Sequence, residues 1–157
     1  MGFNKRVGTA IGAYSLFIGL MYTIFGILEI LIGWGDFVGT GAPLISPIEL
    51  AGINLVPPDV LGGIMLIIIG VVYLNGVREQ ARGDREGLSF LLVGSLLATI
   101  FFGVFTFIML ANGVGYVFQF EDWLKWAWSD DLRPGIWLFL FAIPGAYLVL
   151  TKKEWRE

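Results

Sequence analysis

Four long runs without a charged residue dominate this chain, at positions 7–28, 60–77, 87–120 and 135–151. A helix needs about 20 largely apolar residues to cross the hydrocarbon core of a bilayer. In lipid its backbone amides must also be bonded within the segment, which leaves helices or closed barrels. The runs therefore predict an all-α integral membrane protein, a single membrane domain over 1–157 built as a bundle of four transmembrane helices. The expected spans are 8–34, 59–77, 88–112 and 134–151, with longer connections at 35–58 and 113–133 and a short turn at 78–87. Composition agrees. Only 15% of residues are charged and 57% are hydrophobic, whereas soluble domains carry about 25% charged residues.

Lysine and arginine orient the bundle. Cytoplasmic loops of membrane proteins are enriched in both. Lys5 and Arg6 precede the first span, Arg78, Arg82 and Arg85 lie between the second and third, and Lys152, Lys153 and Arg156 follow the fourth. The opposite side holds only Lys125 and Arg133 against a series of acids. The expected location is the cell membrane, multi-pass, with both termini cytoplasmic. The apolar stretch after Lys5 and Arg6 exceeds a signal-peptide core, so the first span reads as retained.

The two extracytoplasmic connections carry their own signals. Ser46-Pro47-Ile48-Glu49 matches a capping box with proline at the first helical position. It predicts a short helix over 47–54, ended by Pro57 and Pro58, after which Asp59 caps the second span. Residues 117–129 mix Trp123, Trp126 and Trp128 with Glu121, Asp122 and Lys125, which predicts a second short interfacial helix. Trp34 and Trp137 join these tryptophans at the outer boundary, and Trp155 marks the inner one. The order long span, surface helix, shorter span recurs, which suggests a parallel repeat of two hairpins. Pro144 inside the fourth run is expected to kink that helix near 142–144.

Gly12, Gly19, Gly26 and Gly33 recur every seven residues in the first span, and Gly63 and Gly70 repeat the interval in the second. Small residues in register let helix backbones approach closely in lipid, so these two faces should meet. Gly8, Ser15 and Tyr22 share the glycine face, while Phe17, Leu20, Ile24, Leu28 and Leu31 point away from it. In the third span Ser95, Thr99, Thr106 and Gly113 form the corresponding small and polar face.

Function is less constrained. The chain has no cysteine and no histidine, which excludes disulfides, thiolate or histidine metal ligands and histidine-dependent catalysis. No cofactor or metal is implied. The net charge of -3 and pI near 4.9 argue against nucleic acid. Glu29 is the one ionisable group inside a span, about 60° from the glycine stripe at about 100° per residue, so it faces the interior. Intramembrane acids are costly and commonly functional. Glu29 with Asp59, Asn112 and Arg133 forms the candidate site, for a proton, a cation or a ligand. The alternative is a structural Glu29, bonded to a neighbouring hydroxyl or amide or paired with Arg133. The scarcity of buried polar groups favours a non-catalytic accessory or scaffolding subunit. A homo-oligomeric transporter or channel ranks second, and a membrane enzyme or lipid- or quinone-binding subunit third. Partners are the bilayer and either further copies or other membrane subunits.

Overall fold

The computed structural model of the protein describes residues 5–50 and 52–151. Lys152, Lys153, Trp155 and Arg156, invoked above for orientation and the inner boundary, lie outside the described residues. The chain folds as α1 (Lys5–Phe37), a hairpin of β1 (Ile48–Leu50) and β2 (Ile53–Val56), α2 (Val60–Asn75), α3 (Val77–Arg82), α4 (Arg85–Val117) and α5 (Pro134–Thr151). Three helical units are long and apolar enough to cross a membrane: Lys5–Phe37, Val60–Arg82 and Arg85–Val117. The fourth, α5, is apolar and shorter.

The four long helices close a ring in the order α1, α2, α4, α5, so that α1 and α4 sit on one diagonal. Its core is Ile18, Tyr22, Leu66, Ile69, Tyr73, Leu91, Ala98, Leu138 and Ala142. The opposite faces (Phe17, Leu20 and Ile24 on α1, Leu96, Ile100 and Phe107 on α4) are exposed. Leu28 and Leu31, expected on the outward face of α1, are half-buried instead. The Leu44 amide donates to the Leu31 carbonyl at 3.1 Å, which folds the following loop back over that face.

The α1–α2 contact is made of glycine. A β-carbon placed on Gly26 would stand 2.5 Å from the Gly63 carbonyl oxygen, and one on Gly63 would stand 2.5 Å from that of Gly26. Gly19 faces Gly70 in the same way, and Gly33 rests on the backbone of Pro58, Asp59 and Val60. At Gly12 the stripe meets α3, at Val77 and Ala81. The seven-residue interval therefore marks backbone-to-backbone approach along the whole helix.

The first connection departs from the expected helix over 47–54. Ile48–Leu50 pairs antiparallel with Ile53–Val56, with Glu49 opposite Asn54 and a bulge beside Ile48. Gly52 turns the chain at φ 78°, a left-handed conformation that glycine adopts without strain. That turn leaves too few residues after Pro47 to pay back the costly first turn of a helix. The β-branched Ile48 and Ile53 favour strands instead. Asp59 does cap α2, its Oδ1 accepting from the Gly62 amide at 2.8 Å.

The second connection also departs from expectation. α4 continues through Asn112 to Val117, and the residues beyond form two short 3-10 turns, Glu121–Trp123 and Trp128–Asp131, rather than one interfacial helix. The segment folds in on itself because Asn112 and Trp126 both bond Asp131, and Trp123 bonds Asn112, as described below. The short connection at 78–87, expected to turn around Gly83, does reverse there: Gly83, at φ 79°, and Asp84 separate α3 from α4, which take up the rest of it.

α1 and α4 end alike. Each has 33 residues, followed by a residue with positive φ, Gly39 at 78° and Gln119 at 57°. Both ends carry the paired bonds of a Schellman motif. Thr40 N–H bonds Gly35 C=O at 2.9 Å and Gly39 N–H bonds Asp36 C=O at 3.3 Å. Phe120 N–H bonds Gly115 C=O at 3.1 Å and Gln119 N–H bonds Tyr116 C=O at 3.0 Å. The helix ends and their C-caps keep one constant offset in sequence.

Pro144 lies inside α5, and its missing N–H is accompanied by an insertion one residue later. Gly145 N–H and Phe141 C=O, the pair an α-helix would join directly, are bridged by the Tyr14 hydroxyl of α1. The hydroxyl accepts from Gly145 at 3.0 Å and donates to Phe141 at 2.7 Å. A side chain entering the ladder is one of the few causes of helix kinks. Tyr14→Phe should therefore destabilise the detergent-solubilised protein by about 1–3 kcal/mol, the cost of leaving the part-buried Gly145 N–H without its partner. An unchanged thermal midpoint would show that α5 recloses its own bond.

Candidate functional site

The hairpin and the two 3-10 turns lie at the end of the bundle where α1 and α4 finish, here the loop end; Gly83 lies at the opposite, turn end. The α1–α2 glycine contact carries Glu29 inward at the loop end, between Gly26 and Gly33. Its side chain is 1% exposed, and Oε2 has no hydrogen-bond partner among the described residues. The charges whose fields reach it are Asp59 and Arg133.

Those two residues form an ion pair, Arg133 Nη1 with Asp59 Oδ2. Each immediately precedes the shorter helix of its hairpin: Asp59 stands before α2 and Arg133 before α5. The guanidinium also lies over the Phe105 ring, 5.5 Å from its centroid, a favourable placement for a cation. Asp59 thus satisfies a helix cap with one oxygen and a cation with the other. A shallow groove of about 310 Å³ opens beside it, lined by Gly33, Asp36, Phe37, Pro58 and Asp59.

Asn112 does not join this group. Its Nδ2 donates to Asp131 Oδ2 at 2.8 Å, and its Oδ1 accepts from Trp123 Nε1 at 3.0 Å. Trp126 Nε1 donates to the same Asp131 oxygen at 2.7 Å. Asp131 is 7% exposed and acts as the knot that holds the second connection against α4. The four expected site residues therefore divide: Glu29, Asp59 and Arg133 share one neighbourhood, and Asn112 belongs to a structural cluster. The sequence signal for that cluster was an acid beside three tryptophans, each with an indole N–H that needs an acceptor when buried.

A second feature lies deeper. Ser15 and Tyr22 share the interior face of α1 with Glu29 at seven-residue intervals, and both are buried, at 0% and 1% exposure. Neither hydroxyl has a hydrogen-bond partner among the described residues. Tyr22 stacks on Tyr73 of α2, with centroids 6.3 Å apart and planes 21° apart. The Tyr73 hydroxyl is bonded to Ser95 Oγ of α4 at 2.9 Å. Sequence inspection placed Ser15 and Tyr22 on this face and left them out of the candidate site, because hydroxyls on a glycine stripe read as packing. Among the described residues no cluster of acids resembles a metal site.

A chain with this apolar ring and this buried acid can be compared with known proteins. The family model for the MJ0565 integral membrane domain matches residues 5–153. This chain belongs to the MJ0565 integral membrane domain family. Among curated proteins, the uncharacterized protein MJ0565 of Methanocaldococcus jannaschii is 33% identical over 140 residues, covering 88% of each chain. No solved structure matches. Membership of the MJ0565 family establishes an integral membrane protein, and the helices described above are its membrane domain.

Proposed function

We propose that this protein carries an exchangeable proton or cation at Glu29 and works as a small transporter or channel. The observation that carries this reading is the Glu29 carboxyl itself, buried at the bundle interior with Oε2 unbonded. Among the described residues, the cation whose charge reaches it, Arg133, is already held by Asp59. A carboxyl group in apolar surroundings without a dedicated partner is costly. Taking up a proton or a cation relieves that cost, whereas a purely structural role would call for a bonded partner. The groove beside Asp59 opens at the loop end and reaches Gly33 of α1, one turn beyond Glu29. The accessory-subunit reading rests on a scarcity of buried polar groups and on exposed apolar faces; six buried side-chain oxygens without a partner among the described residues weigh against the first, and lipid alone would cover the second.

The test is infrared titration of the reconstituted protein. Glu29→Gln should remove a titrating carboxyl band and shift stability by less than about 0.5 kcal/mol, as for a site that is not a structural bond. Loss of about 2 kcal/mol or more, with no carboxyl band lost, would assign Glu29 to the scaffold.

The topology that goes with this function has four spans, α5 included, with both termini cytoplasmic and the loop end extracytoplasmic. The two hairpins are a parallel repeat, which accounts for the matched ends of α1 and α4 and for Asp59 and Arg133 at corresponding positions. Further copies or other subunits would pack on the exposed α4 face. Because the chain has no cysteine, single introduced cysteines can be labelled without background. Arg82→Cys should react with a membrane-impermeant maleimide only in inside-out vesicles, and Asp122→Cys only in right-side-out cells. Reaction of both from the same side would remove α4, the helix between them, from the spans.

A further inference from the structure

We propose that Glu29, Tyr22 and Ser15 are stations of a proton relay that runs along the interior face of α1, from the loop end toward the turn end. The relay rests on the reading of Glu29 as an exchangeable site and extends it across the bundle. Six buried side-chain oxygens lack a hydrogen-bond partner among the described residues: those of Ser15, Tyr22, Glu29, Glu79, Gln80 and Thr106. Five of the six lie on α1 and α3, two helices packed against each other where Gly12 meets Val77 and Ala81. Unpartnered polar atoms are rare and expensive when scattered. Here three of them, on Ser15, Tyr22 and Glu29, follow one face of α1 at seven-residue intervals.

Ser15, Tyr22 and Glu29 follow one another at two-turn intervals, about 10.5 Å of helix rise. Two or three water molecules in hydrogen-bond contact, at roughly 2.8 Å per link, would join neighbouring stations. Buried polar groups of this kind commonly bind such water. Each hydroxyl can accept a proton on one side and release its own on the other. Each hop makes one O–H bond and breaks one, with no change of oxidation state, and the net result is one proton moved along the file. At the loop end Glu29 receives the proton beside Asp59 and Arg133. At the turn end α3 adds Glu79 Oε2, a carboxylate that can take it, and the Gln80 carbonyl, which can order water but carries no proton. Tyr73 faces the same interior, but its hydroxyl is engaged with Ser95, and the Tyr14 hydroxyl is engaged in α5.

The test is proton flux into liposomes holding the purified protein and a trapped pH-sensitive dye, driven by a potassium diffusion potential. Tyr22→Phe removes only an oxygen without a partner among the described residues and keeps the ring on Tyr73, so folding should be retained, as gel filtration and thermal midpoint would verify. Wild-type protein should conduct protons. Tyr22→Phe and Ser15→Ala should each reduce the rate at least tenfold, while exposed Tyr147→Phe should leave it unchanged. The infrared carboxyl band of Glu29 should survive in Tyr22→Phe, since the site is filled from the loop end. Wild-type flux in Tyr22→Phe, with flux lost in Glu29→Gln, overturns the relay and leaves the Glu29 site standing. Flux unaffected by Glu29→Gln overturns both. Absence of flux through the wild-type protein overturns the relay, and the infrared titration then decides the site alone.

Discussion

Gly26→Ala should cost this protein about 3 kcal/mol, although it adds a single methyl group to a helix. Overpacking a close contact typically costs about 1–3 kcal/mol and occasionally more, and here both sides of the contact are backbone. The new β-carbon would stand 2.5 Å from the Gly63 carbonyl oxygen and 3.0 Å from the Ile67 amide nitrogen. A flexible side chain could swing aside; a carbonyl inside α2 moves only if the helix moves. The control is Gly103→Ala in α4, where an added β-carbon meets nothing within 4 Å. There the better helix propensity of alanine should stabilise by up to about 1 kcal/mol. Thermal melts of both variants in one detergent settle the matter. If the two shift in the same direction, the glycine stripe is not the α1–α2 contact.

Asp59 should show the second large effect, and its two substitutions should separate its two roles. Asp59→Ala removes both the α2 cap and the partner of Arg133. A lost cap costs about 0.5–2 kcal/mol. Breaking a fully buried ion pair costs about 3–5 kcal/mol, and this pair is part-buried, with side chains 25% and 20% exposed. A combined loss of about 2–4 kcal/mol is expected. Asp59→Asn keeps an oxygen for the Gly62 amide and loses only the charge, so it should recover about 1 kcal/mol of that loss. Equal destabilisation by both would mean that the cap contributes nothing. Arg133→Lys is the complementary probe, because lysine keeps the charge and gives up the planar contact with Phe105.

Much of this architecture is legible in the sequence, for reasons that differ from part to part. The charge-free runs specify membrane helices because a bilayer leaves the backbone almost no other way to bond itself. The glycine interval specifies the α1–α2 contact because only glycine removes the β-carbons that would hold two backbones apart. Glu29 is read as interior by helix geometry alone. Asp59 as a cap follows from its place before an apolar run.

Other parts depend on neighbours remote in sequence. Ser46-Pro47-Ile48-Glu49 has the chemistry of a helix start, yet Gly52 turns the chain and Ile53–Val56 supplies a strand partner, so a hairpin forms. The tryptophan segment has the composition of an interfacial helix, but Asp131 draws in Asn112 and Trp126 and folds it into short turns. Pro144 announces a break in α5; that the Tyr14 hydroxyl fills it follows only from α1 and α5 being adjacent.

The amino-acid sequence by itself determined that this is a membrane protein with an acid in its interior and a glycine face beside it. Those properties follow from local composition, helical period and the cost of polar groups in lipid. Only the tertiary structure decided the acid's company. It paired Arg133 with Asp59, sent Asn112 to Asp131, and left the Ser15 and Tyr22 hydroxyls without a partner among the described residues. Hydrogen-bond choice depends on ångström-scale distances between helices, and those distances are set by packing.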